Sequence, residues 1–153
     1  GIVVEENSQV RIGFVSPSDS TASPNTIQNN GGRGIHIWKG STAWIVGNTI
    51  ANNGSDGIAV FRLSEATISS NTINSNTGNG IFVGHNSGIQ LGEDDATNFI
   101  GYPNYTTSNN TQYGIRCVMG AYVRGHLGST NQINGSSGQQ SISSNCPQDL
   151  VTP

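Results

Sequence analysis

Aromatic and basic side chains recur along this sequence at intervals that would place them side by side. His36, Phe82 and Arg116 each follow the isoleucine of a Gly-Ile phrase, and Trp38 and Phe61 occupy the position two residues further on. Aromatic rings stack on the apolar faces of sugars, and the planar guanidinium of arginine pairs with carboxylates. A groove that is lined by both side-chain types predicts contact with a sugar chain that carries carboxylates.

We define the aromatic and basic strip as the outward positions on this repeated strand and at its ends. An alternative interpretation is that aromatic residues simply suit strand positions and that the cations serve solubility. However, four of the six Lys and Arg residues fall in the strip although the formal net charge is −3, which favours binding. The strip consists of Arg33, His36, Trp38, Lys39, Phe61, Arg62, Phe82, His85 and Arg116.

The elements that must position the strip come from a repeat of 23 residues. The Asn-Thr-Ile phrase begins at Asn25, Asn48 and Asn71, and the Gly-Ile phrase recurs at the same interval. A fixed period of about 20 to 50 residues is typical of repeat architectures. Within each unit the apolar residues alternate at period two, which indicates strands rather than helices. We therefore expect three short strands in each repeat.

Three short strands in each repeat predict one coil of a parallel β-helix. Each strand then pairs with its counterpart in the next coil, about 4.8 Å away, and equivalent residues form columns that fill the core. The predicted columns are Ile2, Ile35, Ile58, Ile81 and Ile115; Val4, Ile37, Val60, Val83 and Cys117; Ala43, Ala66 and Ile89; Ile45, Ile68 and Leu91; and Ile27, Ile50, Ile73, Ile100 and Ile133.

The asparagines of the repeat fall where each coil must turn sharply. Asparagine tolerates the left-handed backbone region, and its side-chain amide bonds to neighbouring backbone, so stacked asparagines predict hydrogen-bonded ladders between coils. A role of these asparagines in ligand binding is the alternative. The predicted ladders are Asn25, Asn48 and Asn71, continued more loosely by Asn98 and Asn131, and Asn30, Asn53 and Asn76.

The chain length of 153 residues suits one domain, residues 1–153. Regular coils cover residues 25–91, insertions interrupt the period near 15–24 and 92–113, and residues 136–153 form a C-terminal tail. Because the pattern starts in mid-repeat, we expect a module of a larger protein with neighbouring coils or domains.

Charge and hydropathy limit the classes of partner. The net charge of −3 gives no general attraction for nucleic acid or anionic membrane, and no apolar run approaches the roughly 20 residues of a membrane span. Two cysteines leave two alternatives open. Cys117 is either a free thiol in the core or is bridged to Cys146, which would hold the tail over the last coil.

The sequence resembles the right-handed parallel β-helix repeat of the pectin lyase-like superfamily. The resemblance rests on G-I-x-V at residues 57–60, x-A-x-I around 66–68 and N-x-I-x-x-N at 71–76. It implies an all-β fold, a single-stranded right-handed parallel β-helix of about five or six coils. It also implies a polysaccharide held along the Gly-Ile strand, because enzymes of the superfamily hold their substrates there.

Catalytic signatures of that superfamily are missing from this sequence. Asn-Thr is followed by Ile rather than Asp, Gly84-His85 is followed by Asn, and neither an Asp-Pro-His motif nor an inward-facing acidic calcium cluster is found. The candidates for proton abstraction are His36 and His85, assisted by Arg62 or Arg33. We expect no metal site and no cofactor, and calcium has no support.

The sequence therefore predicts a secreted or cell-surface module that binds or scaffolds on polysaccharide, with a uronate-containing polymer as one candidate, and that does not act catalytically by itself. The first alternative is a polysaccharide lyase or epimerase. The second is a purely structural segment of an adhesin, stalk or phage fibre. The repeat is common to all three classes, so it does not separate them.

Overall fold

The computed structural model describes residues 1–14, 23–92, 106–126, 133–135, 142 and 145–151. All regular elements in these residues are strands, and none of these residues belongs to a helix long and apolar enough to cross a membrane. In chain order the strands are β1 (Ile2–Val4), β2 (Gln9–Ile12), β3 (Thr26–Gln28), β4 (Ile35–Ile37), β5 (Thr42–Val46), β6 (Thr49–Ala51), β7 (Ile58–Phe61), β8 (Glu65–Ser69), β9 (Thr72–Asn74), β10 (Ile81–Gly84), β11 (Gly88–Leu91), β12 (Thr106–Asn110), β13 (Ile115–Val118), β14 (Tyr122–His126), β15 (Ile133–Gly135) and β16 (Gln148–Val151).

The strands form three parallel sheets, which confirms the predicted β-helix. The first sheet has the order β1-β4-β7-β10-β13, the second β2-β5-β8-β11-β14-β16 and the third β3-β6-β9-β12-β15. Successive strands of a sheet come from successive coils, and in the regular region their registered residues lie 23 positions apart, as with Ile35 and Ile58. The chain therefore winds once through all three sheets in each repeat.

Four of the five predicted core columns are confirmed. The column from Ile2 to Ile115 and the column from Val4 to Cys117 are in register through all five strands of the first sheet. Isoleucines such as Ile35 and Ile58 are fully buried, and each contributes about 1.5–3 kcal/mol relative to an exposed side chain.

One column differs from the prediction. Ile27, Ile50 and Ile73 are in register, but the position after Ile73 belongs to Thr107, to which Ile133 is aligned in turn. Ile100, which the sequence assigned to this position, lies outside the described residues.

The asparagine ladders are present. Oδ1 of Asn48 accepts hydrogen bonds from the backbone N–H of Asn25 at 3.0 Å and from its Nδ2 at 2.9 Å, and Asn71 receives the same pair from Asn48. Nδ2 of Asn71 donates hydrogen bonds to the carbonyl of Ser69 and to the carbonyl of Ile45, which lies in the preceding coil. These buried amides are therefore satisfied by the protein itself, which supports a structural role for them.

The second ladder extends further than predicted. After Asn30, Asn53 and Asn76, it continues to Asn110, whose Oδ1 accepts from the backbone and side chain of Asn76 at 3.0 and 2.9 Å. Because Asn110 follows Asn76 by 34 residues rather than 23, the surplus of the insertion falls before Asn110. Strand β12 accordingly begins inside the segment that the period assigned to a loop.

A third ladder, of serines, was missed by the sequence analysis. The backbone N–H of Ser8 donates to Oγ of Ser41, Ser41 to Ser64, and Ser64 to Ser87, at 3.1, 3.2 and 3.1 Å. The predicted ladder positions Asn98 and Asn131 lie outside the described residues.

The two cysteines are bridged. Cys117 and Cys146 form a disulfide, and both are buried. Near it, Ile142 pairs with Ile115 of the first sheet, and β16 pairs with β14 of the second. This is the bridged alternative of the two that the sequence left open.

Candidate functional site

The aromatic and basic strip lies on the outer face of the first sheet. His36 and Phe82 both stand in register with Ala59, on strands to either side of it, and Phe82 is in register with Arg116. Phe61 ends β7, where it is in register with Gly84. Since these residues alternate with the core columns, their side chains leave the sheet on the side opposite the core.

The rings of the strip form one continuous cluster. The centroid of His36 lies 5.2 Å from Trp38 in a stacked arrangement and 5.4 Å from Phe61 in an edge-to-face arrangement. Phe61 in turn lies 4.9 Å from Phe82 and 5.9 Å from His85. All five side chains are only partly buried, so part of the cluster is at the surface.

Two small residues explain why the rings meet. Ala59 faces outward between His36 and Phe82, yet it is fully buried. At Gly84 an added Cβ would lie 3.1 Å from Phe82 and 3.3 Å from Phe61. The rings therefore close over positions where a larger side chain would separate them.

Each of the four strong cations of the strip lies close to a ring. Such contacts contribute about 0.5–1 kcal/mol at exposed sites and hold both partners in place. The distances to ring centroids are 4.9 Å from Arg33 Cζ to Phe61, 4.4 Å from Lys39 Nζ to Trp38, 5.2 Å from Arg62 Cζ to Trp38 and 5.9 Å from Arg116 Cζ to Phe82.

Carboxylates of the protein neutralise two of these cations. Arg33 Nε lies 3.3 Å from Asp56 Oδ2, and Lys39 is paired with Glu6 and, at 3.6 Å, with Glu5. Contact with the glutamates raises the pKa of Lys39.

Arg62 and Arg116 have no carboxylate partner among the described residues, and Nη1 of Arg116 donates a hydrogen bond of 3.2 Å to the amide oxygen of Gln112. The charge that is available to an anionic ligand is therefore concentrated on Arg62 and Arg116.

Asp56 is a functional candidate that the sequence analysis missed. It is buried, and its Oδ1 accepts the backbone N–H of Asn79 at 3.0 Å and Asn79 Nδ2 at 2.7 Å, while Oδ2 contacts Arg33. Asn79 then accepts the N–H of Tyr113 in the next coil. Asp56 thus ends a polar column and orients Arg33; the only signal in the sequence was the 23-residue spacing of Arg33, Asp56 and Asn79.

Three strip residues occupy strained backbone at the corner after the first sheet. Lys39, Arg62 and His85 have φ of 56°, 53° and 57°. Left-handed backbone costs roughly 1 kcal/mol for a residue with a side chain, and asparagine or glycine adopts it more easily. The corner requires this conformation in every coil, but nothing in the fold requires long basic or aromatic side chains there.

One ring nitrogen of His36, Nε2, is not placed to act as a base in this arrangement. Burial, followed by the charge of Arg33, lowers its pKa, so the ring is neutral at pH 7. However, its Nε2 is buried and has no hydrogen-bond partner among the described residues, as is also true of Trp38 Nε1. A general base has to reach the proton that it removes, which a buried Nε2 does not do.

The arrangement offers stacking surfaces and the guanidinium groups of Arg62 and Arg116. No group of three or more His, Cys, Asp or Glu residues with a metal-binding arrangement occurs in the described part of the chain. The nine residues that the sequence predicted for the strip all lie together, from Arg33 at one corner to His85 at the other.

Comparison with known proteins identifies the family but not a relative. No curated protein and no solved structure gave a match to the chain. The model of a family described as right handed beta helix region matches residues 2–125, which agrees with the parallel strands of all three sheets. The chain therefore belongs to the right-handed β-helix family, and its fold is an all-β right-handed parallel β-helix.

Proposed function

We propose that this β-helix module binds an acidic, uronate-containing polysaccharide along the outer face of its first sheet, as part of a secreted or cell-surface protein. The observation that carries the proposal is the continuous cluster of five rings, from Trp38 through His36, Phe61 and Phe82 to His85, with a cation against most of them.

The rings supply the affinity in this proposal. Each ring is fixed by its neighbours before a ligand arrives, so little side-chain entropy is lost on binding. The row crosses three strands, β4, β7 and β10, and therefore runs along the helix axis over about 10 Å. An extended sugar chain that lies parallel to the axis meets one ring after another.

The two available arginines supply the preference for acid. Arg62 and Arg116 lie towards opposite ends of the ring cluster, beside Trp38 and Phe82 respectively. A guanidinium binds a carboxylate through two parallel hydrogen bonds, so regularly spaced uronates fit this pair better than neutral sugars do. Arg33 and Lys39 contribute mainly to the order of the rings.

Affinity electrophoresis in gels cast with polygalacturonate tests the proposal. We expect the native module to be retarded, and Trp38→Ala and Phe82→Ala each to weaken binding by about tenfold or more, as truncation of a central aromatic contact does. Arg62→Ala and Arg116→Ala should weaken binding and reduce its dependence on salt. Arg124→Ala, which removes the same charge from the exposed outer face of the second sheet, is the matched control and should bind normally.

Other outcomes contradict the proposal in distinct ways. Equal losses of polygalacturonate binding in Arg62→Ala and Arg124→Ala would mean that the polymer is attracted by positive charge anywhere on the surface. Unsaturated product, detected by ultraviolet absorbance during incubation of the native module with uronate polymers, would establish the lyase alternative. Neither retardation nor product would favour the structural segment.

A further inference from the structure

The outer face of the second sheet contains two adjoining open depressions. One has a volume of about 480 Å³ and includes Arg11 and Trp44 in its lining, and the other has about 130 Å³ and includes Tyr122. Both are lined by Thr42 and Thr67, so they are parts of one surface. We name it the second-sheet groove; it runs from β2 to β14, four coil steps or about 19 Å along the axis.

An aromatic residue stands towards each end of the second-sheet groove. Trp44 is partly buried in β5, where Arg11 Cζ lies 4.6 Å from its ring centroid and Phe14 lies 5.3 Å from it. These contacts fix the indole at one end of the floor. The indole is thus held beside the depression by one ring and one guanidinium group.

Tyr122 forms the other end. It is in register with Gly88, where an added Cβ would overlap its ring, so the tyrosine lies across the space that the glycine leaves. Its hydroxyl donates a hydrogen bond of 2.7 Å to Glu65, two coils away. The Tyr122 ring is therefore held both by its close approach to Gly88 and by the hydrogen bond from its hydroxyl to Glu65.

The floor between the rings is polar, and the charged groups that line the groove are mixed in sign. Thr42, Thr67 and Gln90 offer hydroxyl and amide groups to a ligand. Glu65 lies between the cations Arg11 and Arg124, since β8 stands between β2 and β14 in the sheet. A polyanion that lay along the groove would meet this carboxylate between the two arginines, which disfavours an acidic ligand.

We propose that the second-sheet groove is a separate binding site for a neutral oligosaccharide. Ring faces at its ends meet the apolar faces of sugars, and the hydroxyl and amide floor between them pairs with sugar hydroxyls without requiring a carboxylate. The site does not depend on the strip of the first sheet, because the two surfaces share no residue. One module would then hold an acidic chain on one face and a neutral chain on another.

The chain contains two tryptophans, one on each surface, and this permits a direct test. In a two-dimensional ¹H–¹⁵N spectrum each indole N–H gives its own signal, which Trp38→Phe and Trp44→Phe variants assign. We expect neutral hexasaccharides of glucose, mannose or xylose, added separately, to shift the Trp44 signal and leave the Trp38 signal in place. Oligogalacturonate should do the reverse if the proposed function is correct.

Variants on the two surfaces test whether neutral sugars bind at the second-sheet groove. Trp44→Ala should weaken neutral binding by about tenfold or more, and Thr67→Val, which keeps the side-chain volume but removes the hydroxyl, should weaken it less. Trp38→Ala is the matched control and should leave it unchanged. If none of the neutral hexasaccharides shifts the Trp44 signal, or if Trp38→Ala removes the shift, the second-sheet site is wrong. Either result leaves the binding of uronates by the first sheet open to its own test.

Discussion

The outer faces of the first and second sheets are built by the same repeat but carry different chemistry. On the first sheet, Phe61 and Phe82 touch at 4.9 Å and belong to a continuous ring cluster. On the second, Trp44 and Tyr122 stand apart, with small polar residues between them. The core positions of both sheets are constrained by stacking from coil to coil, whereas outward positions are free to vary. A β-helix can therefore present two unlike surfaces without altering its core.

The two faces also use their carboxylates differently. Asp56, beside the first sheet, is buried and accepts two hydrogen bonds from Asn79 while it contacts Arg33. Glu65, on the second sheet, is exposed and accepts one from Tyr122. The first carboxylate belongs to the hydrogen bonding between coils, and the second only fixes a surface ring.

Replacement of these carboxylates should give the largest difference between the faces. Asp56→Ala leaves two buried donors of Asn79 and the guanidinium of Arg33 without their acceptor, and should lower the free energy of unfolding by about 2–4 kcal/mol. Glu65→Ala should change it by less than about 1 kcal/mol, because an exposed group loses little. Urea unfolding measures both.

Asp56→Asn separates the two tasks of Asp56. Its side-chain oxygen still accepts from Asn79, so most of the stability should return while the ion pair with Arg33 stays lost. An Asp56→Ala variant as stable as Glu65→Ala would show that Asp56 is not part of the coil-to-coil bonding.

Replacement of the glycines beneath the rings should have an effect on stability of intermediate size. Gly88→Ala would displace the Tyr122 ring and break its bond to Glu65, which should cost about 1–2 kcal/mol. At Gly84 the nearest atoms lie 3.0–3.3 Å from an added Cβ, so neighbours need to move only slightly and Gly84→Ala should cost less. Neither glycine has a positive φ, so thermal unfolding of the two variants compares side-chain space alone. A larger loss for Gly84→Ala would reverse our view of which ring is the more tightly seated.

The pH dependence of stability should be the smallest effect. It should have opposite signs for His36 on the first sheet and Tyr122 on the second. Burial and then Arg33 lower the pKa of His36, so the folded protein disfavours the protonated ring. The contribution of His36 to the free energy of unfolding should be fully present above its unfolded pKa of about 6.5. It should decrease as the pH falls below that value. Urea midpoints at several pH values measure this, and His36→Gln should reduce the slope. An unchanged slope in that variant would assign it to other groups.

Tyr122 provides the contrast on the second sheet. Its hydrogen bond to Glu65, followed by burial, raises its pKa, so its contribution is present below the unfolded value of about 10 and is lost as the pH rises through the raised pKa. Ultraviolet titration of the phenol should move back towards the ordinary value in Glu65→Gln.

Some features of the molecule could be predicted from the sequence and others could not. The alternation around Gly57 and the 23-residue period predicted the core columns, and the nine strip residues indeed lie together, because each outward position follows once the register is known. Asp56 and the serine ladder were missed since short polar side chains in a Ser- and Asn-rich chain give no distinctive pattern. The second-sheet groove was missed because Trp44 and Tyr122 are far apart in sequence and not in register with each other.

The sequence by itself determined the coil. An equal interval between isoleucines and asparagines requires like residues to stack, because only stacking buries every isoleucine and satisfies every ladder amide at once. The tertiary structure alone decided three further features: the register after the insertion, where Thr107 and Asn110 take the column positions; the disulfide between Cys117 and Cys146; and the closure of rings over Ala59, Gly84 and Gly88. These depend on where chain segments of unequal length meet in space, which spacing along the chain does not specify.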